Sequence, residues 1–192
     1  MINHFRTLFT IALCFAVTSC GGGDDGESSN QGPVSSASDA FASLLLLKAP
    51  EGAITITEAR KKPTPGTKVT VSGKVMGNDN PIIQSRALLT LGDPTMLESC
   101  DLKPGDENPT PWNVCCADPD LVRASIATIQ VLDEHGKPIK TGLRGLGGLQ
   151  ELSNLIVVGE VAKGSNADNF LVNATGIHVA AATAAGITTT KK

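Results

Sequence analysis

The chain has 192 residues, of which 41% are hydrophobic and 18% charged, and carries a formal charge of −3 at pH 7. That length suits one ordinary domain with extensions, and the composition excludes both wholesale disorder and a bundle of membrane spans. Aromatic residues make up only 3%, with one Trp, no Tyr and five Phe. At the amino terminus, Arg6 supplies one positive charge with no acid beside it, and an apolar run of about ten residues follows from Leu8 to Val17. A run of that size matches the core of a signal peptide and is too short to cross a bilayer.

Val17-Thr18-Ser19-Cys20 closes the run, and Gly21-Gly22-Gly23-Asp24-Asp25 comes directly after it. An aliphatic residue, two small residues and a cysteine in this setting resemble the lipobox of bacterial lipoproteins. The resemblance covers residues 1–20 and implies cleavage before Cys20, with Cys20 carrying diacylglycerol and a further acyl chain such as palmitate. Each buried methylene contributes about 0.8 kcal/mol, so two or more chains anchor a protein stably. The expectation is therefore a signal peptide over 1–19 and a lipid anchor in the bacterial cell envelope, on a periplasmic or outer-membrane face. Gly21 stands where an aspartate, in some of these lipoproteins, implies retention in the inner membrane. The other reading, an ordinary secretory signal with Cys20 a plain thiol, also exports the protein.

Residues 20–40 are rich in Gly, Ser, Asp, Asn and Gln and read as a flexible tether. Extended, it reaches about 60 Å. The expected folded domain spans 41–180, and the Ala/Thr/Gly stretch of 181–192 is expected to be disordered. Phe41 to Leu47 fits a helical turn or an edge segment. Thr55-Ile56-Thr57-Glu58 has capping-box spacing and predicts a helix of about two turns ending before Pro63.

The pattern then turns to period two. Val69, Val71, Gly73 and Val75 alternate with Lys68, Thr70, Ser72 and Lys74, a half-buried strand over 67–77. Ala87, Leu89 and Leu91 mark a second over 85–91, and a third runs from about Ala124 to Leu132 before the turn Asp133-Glu134-His135-Gly136. Leu155 to Val161 is the fourth, apolar on both faces at its start and hence central. The fifth, Phe170 to Val179, needs a bulge near Gly176 to reconcile its two parities. Leu146, Leu149 and Leu152 predict one short amphipathic helix between the third and fourth. Five strands, a helix between the third and fourth and a glycine inside the first resemble the OB-fold. The fold expected is mainly β: a five-stranded OB-like Greek-key barrel with one or two short helices and a long cysteine-containing loop.

That loop, 93–120, has twenty-eight residues, far above the usual connection. It holds Asp93, Glu98, Asp101, Asp106, Glu107, Asp118 and Asp120 against the single base Lys103, together with Trp112 and all three cysteines beyond Cys20. Cys100 joined to Cys115 or to Cys116 closes a loop of about fifteen residues and contributes about 3 kcal/mol, with Trp112 packed over the bridge. The same atoms offer a second reading. Thiolates of Cys100, Cys115 and Cys116, helped by Asp101, Asp106 or His178, suit zinc or copper(I), although adjacent cysteines depart from the usual spacing of structural zinc sites.

Composition argues against nucleic acid as a partner. The second and third strands carry no aromatic residue, and acids outnumber bases. No nucleophile, base and oxyanion donor assemble, and Gly145-Leu146-Gly147-Gly148-Leu149-Gln150 fails the dinucleotide pattern at its last position. The sequence thus predicts a non-enzymatic, lipid-anchored binding or interaction module with no cofactor. Its partners would be the membrane, through the lipid, and an envelope protein or small ligand contacted by Asp101, Asp106 and Trp112. The alternative is a metal-binding lipoprotein.

Overall fold

The structure, a computed structural model, describes residues 41–180 except 104, 106–108 and 115. The expected signal peptide, Cys20, the tether, Asp106, Cys115 and the 181–192 tail lie outside the described residues. Seven strands form one sheet: β1 (Ile54–Thr55), β2 (Lys68–Lys74), β3 (Ile82–Ile83), β4 (Leu88–Gly92), β5 (Ile126–Gln130), β6 (Asn154–Val161) and β7 (Leu171–Val179). The order β1-β2-β6-β7-β5-β4-β3, with β2 also paired to β4, closes β2, β6, β7, β5 and β4 into a barrel. All its pairings are antiparallel except β5 with β7. This is the OB-like Greek-key barrel, with β1 and β3 as additions at its margins.

Period two explains the core. Val71, Ala87, Leu89, Leu91, Ile129, Val157, Phe170 and Val172 point inward and are buried. β6 pairs along its length with β2 and β7; its inward Leu155, Val157 and Val161 are buried, and its outward Ile156 and Val158 are half-buried. On β7 the expected irregularity is present: Val158 faces Gly176 while Gly159 faces Ala174, leaving Thr175 over as the extra residue. The slip turns Ile177 inward beside Ala174. Where the barrel closes, Lys74 pairs with Gly92, and a Cβ on Gly73 would lie 2.7 Å from Leu91 Cγ and 2.8 Å from the Gly92 carbonyl oxygen. The glycine is required by close approach of two chains.

Two short helices flank the barrel, α1 (Ile56–Arg60) and α2 (Pro119–Ser125). Thr55 caps α1 by accepting from the Glu58 N–H at 3.2 Å, and Ile56 is fully buried. Arg60 donates to the carbonyls of Ile126 at 3.0 Å and Ala167 at 2.6 Å and stands 5.8 Å from the centre of the Phe170 ring. Residues 41–44 are helical, and Leu45 then bridges Ile177, so the first apolar run is a turn followed by an edge contact.

Two expectations are corrected. The stretch 143–152 is not an amphipathic helix but a single 3₁₀ turn, Leu146–Gly148, because Gly145, Gly147 and Gly148 all take positive φ. The long loop ends early: Asp118 accepts from the N–H groups of Asp120 and Leu121, Pro119 occupies the first turn, and α2 forms where loop and strand were expected.

Candidate functional site

The described residues of 93–118 fold over a second, smaller core of Met76, Leu97 and Val114, against which Trp112, Leu121 and Val122 pack. Two backbone bonds clamp its limbs, Cys100 N–H to Asn113 O and Asp101 N–H to Pro111 O, both 2.9 Å. Trp112 is half-buried there, and its indole Nε1 donates to the Asp79 carbonyl at 2.9 Å. Asn113 Nδ2 donates to the Asp79 carboxylate. The loop after β2 and the long loop are therefore held face to face through Asp79.

Most of the described acids of the long loop are committed to the fold. Asp93 is fully buried and accepts from Thr57 N–H at 2.9 Å, Thr95 N–H at 3.0 Å and Thr95 Oγ1 at 2.7 Å. Burial alone would raise its carboxyl; the hydrogen bonds from Thr95 and Thr57 outweigh that and hold it below the usual carboxylate range. Asp101 lies 3.2 Å from Lys74 Nζ in a partly buried pair, with Ser99 bonded to both. Asp118 caps α2, and Asp120 pairs with Arg123 at 2.6 Å. Asp101 thus belongs to a positioned ion pair, not to an open acidic surface.

Cys100 is buried and Cys116 exposed. Cys116 hydrogen-bonds the Lys103 ammonium, which raises the lysine's pKa. Among the described residues no group of three or more His, Cys, Asp or Glu side chains stands close enough to hold a metal ion. His178, offered above as a distant ligand, has its Nδ1 2.9 Å from the Leu46 carbonyl oxygen on the opposite strap. No helix among the described residues is long and apolar enough to cross a membrane.

The chemistry gathers where β2 ends, β6 begins and β7 ends. Two open cavities share Glu151 in their linings. The first, about 370 Å³, lies between Asp79, Asn80, Gln84, Trp112 and the Arg144–Glu151 pair. The second, about 510 Å³, lies between Lys74, Asp101, Gly148, Gln150, Ser153 and Asn154. Arg144 grips Glu151 through both guanidinium nitrogens, and the Glu151 side chain is only 10% exposed. The wall of the second cavity is held tightly: Leu152 adopts φ 64°, its N–H donates to Val75 O, and the Ser153 carbonyl accepts from Val75 N–H, both at 2.9 Å. A left-handed leucine costs of order 1–3 kcal/mol, and such strain persists only where neighbours enforce it.

Of the residues singled out from sequence, Trp112 and Asp101 reach this groove, one in each cavity. Lys74, Asp79, Asn80, Gln84, Arg144 and Glu151 were not anticipated. They are scattered polar residues with no motif spacing. The outward positions of β4 and β5, the usual nucleic-acid face of an OB barrel, hold Leu88, Thr90, Ile126, Thr128 and Gln130, with neither an aromatic ring nor a cation. No protein-family model, no curated protein and no solved structure matches the chain.

Proposed function

We propose that this chain is a lipid-anchored binding protein of the bacterial cell envelope, whose OB-like barrel presents the groove around Trp112 and Glu151 to a ligand and performs no catalysis. The observation that carries the reading is the convergence of three separate loops on that groove. Trp112–Asp79 and Asn113–Asp79 join the described part of 93–118 to 75–87, and the backbone bonds of Val75 with Leu152 and Ser153 join 75–87 to 143–153. A preorganised concave site with a few convergent polar groups is what a binding module needs. Anchoring rests on the lipobox-like Val17–Cys20 segment, and the tether then gives the barrel reach away from the membrane. A disulfide from Cys100 to Cys115 or Cys116 pins the long loop; the clamp between Cys100 and Asn113 supports it by bringing the two limbs together.

Two experiments test this. Replacing Cys20 by Ser releases the protein from membranes; unchanged membrane association overturns the anchoring. A photo-crosslinking amino acid at Gln84, in the groove, captures a ligand in living cells that the same group at exposed Glu134 does not. Equal capture at both positions, or none at Gln84, overturns the groove as the binding site.

A further inference from the structure

We infer that residues 41–46 form a latch: docked on β7 they brace the Leu146–Gly148 turn against the end of that strand, and on release they free the turn while the barrel stays closed. The latch goes beyond the binding reading and needs no ligand to operate.

The sequence places four consecutive leucines, Leu44 to Leu47, shortly after the polar 20–40 segment. Leu44 is 3% exposed and plugs the main core, where Phe41 also packs. Leu45 and Leu46 sit in notches that only glycine leaves open: a Cβ on Gly147 would lie 2.5 Å from Leu45 Cδ1, and one on Gly176 would lie 2.7 Å from Leu46 Cδ1. The backbone follows the side chains. Leu46 N–H donates to Ile177 O at 2.8 Å, and the Leu46 carbonyl, which can only accept, takes a hydrogen bond from His178 Nδ1 at 2.9 Å. Leu47 is 93% exposed, which ends the strap.

Two parts of one cavity wall are thereby joined. Gly147 and Gly148, and Val179 and Ala180 at the end of β7, all line the second cavity. Leu45 holds the first pair through Gly147, while Leu46 is bonded to the two residues before Val179. Buried Leu143 and Leu149 pin the ends of the 143–149 segment, but Gly147 and Gly148 between them are exposed and take positive φ. A glycine-rich turn of this size gains its shape from what packs on it.

The strap is separable from the barrel. β2, β6, β7, β5 and β4 close without it. Exposed residues 47–49 and left-handed Gly52 lie between it and α1, which is held independently by buried Ile56 and by the Thr57–Asp93 bond. Segments of this kind open locally at less cost than global unfolding. Opening exposes Leu44, so the docked strap is the resting state. By linkage, a ligand that fits only the braced wall favours docking. With Cys20 anchored as proposed, a pull on the chain reaches the strap before any other described element.

Hydrogen exchange of the full-length protein in detergent, resolved by residue, tests the latch. In the unaltered protein the amides of Leu46, Gly148 and Leu149 are expected to exchange through one shared opening, at least about tenfold faster than those of Thr90 and Thr128, which are bonded inside the barrel. The double substitution Leu45→Ala with Leu46→Ala, and separately Gly176→Val, which fills the Leu46 notch, should speed exchange at Gly148 and Leu149 by about tenfold more and leave Thr90 and Thr128 unchanged. If Leu46 exchanges no faster than Thr90 and Thr128 in the unaltered protein, the strap leaves only when the barrel unfolds and the latch is overturned; that comparison decides even where a variant fails to fold. Variants that speed exchange alike over the whole barrel, or that release Leu46 without changing Gly148 and Leu149, overturn it as well. The measurement uses neither ligand nor membrane, so its failure leaves the groove and the anchoring standing.

Discussion

Thr57 donates its backbone N–H to Asp93 Oδ2 at 2.9 Å, across thirty-six positions of sequence, and so ties the first turn of α1 to the end of β4. Asp93 is fully buried, and its other oxygen holds Thr95 in the following turn. One carboxylate therefore fixes where the barrel stops and the long loop starts. Asp93→Ala removes the acceptor of the part-buried Thr57 and Thr95 donors and is expected to cost about 1–3 kcal/mol, measured by urea unfolding.

The same group sets an acid limit. Its folded pKa lies below its unfolded value, so the stabilisation is fully present above the unfolded pKa and is lost as pH falls through the folded one. The thermal midpoint is expected to fall on acidification below about pH 4, and to fall less in Asp93→Asn, which does not titrate. Parallel midpoint curves for the two proteins would show that Asp93 is not the group responsible.

Arg60 bridges two carbonyls on separate segments while lying over Phe170. Arg60→Ala is expected to destabilise by about 1.5–3 kcal/mol, and Arg60→Lys to recover only part, since an ammonium lacks the planar fork that reaches both acceptors. Chemical denaturation of the three proteins checks the order.

Barrel closure gives a fourth expectation. A methyl group on Gly73 meets Leu91, the Gly92 carbonyl and Ile56, all at 2.7–2.8 Å, so Gly73→Ala should cost about 1–3 kcal/mol. Gly164→Ala, where nothing lies within 4 Å, is the control and should change the thermal midpoint little.

The barrel was legible because alternation fixes strands that bury one face: Val71, Leu89, Ile129 and Val157 announce themselves, and even the β7 bulge follows from the clash of parity between Ala174 and Ile177. The helix at 119–125 was missed although Asp118-Pro119 is an N-cap followed by a first-turn proline; the acidic, proline-rich surroundings masked it. The leucines at 146, 149 and 152 have the spacing of a helix face, but Gly147 and Gly148 between them take positive φ, which forbids a helix. The groove was legible only at Trp112 and Asp101. Its other members are single polar residues brought together by loop closure, which leaves no local period or spacing to read.

The most direct measurement is the intact mass of the protein extracted from membranes, alkylated without reduction and compared with its native-condition spectrum. The account predicts a chain beginning at Cys20 with acyl chains attached, one alkylated thiol among Cys100, Cys115 and Cys116, and no metal. A chain retaining Met1 without lipid, or three alkylatable thiols with a metal bound under native conditions, would contradict it.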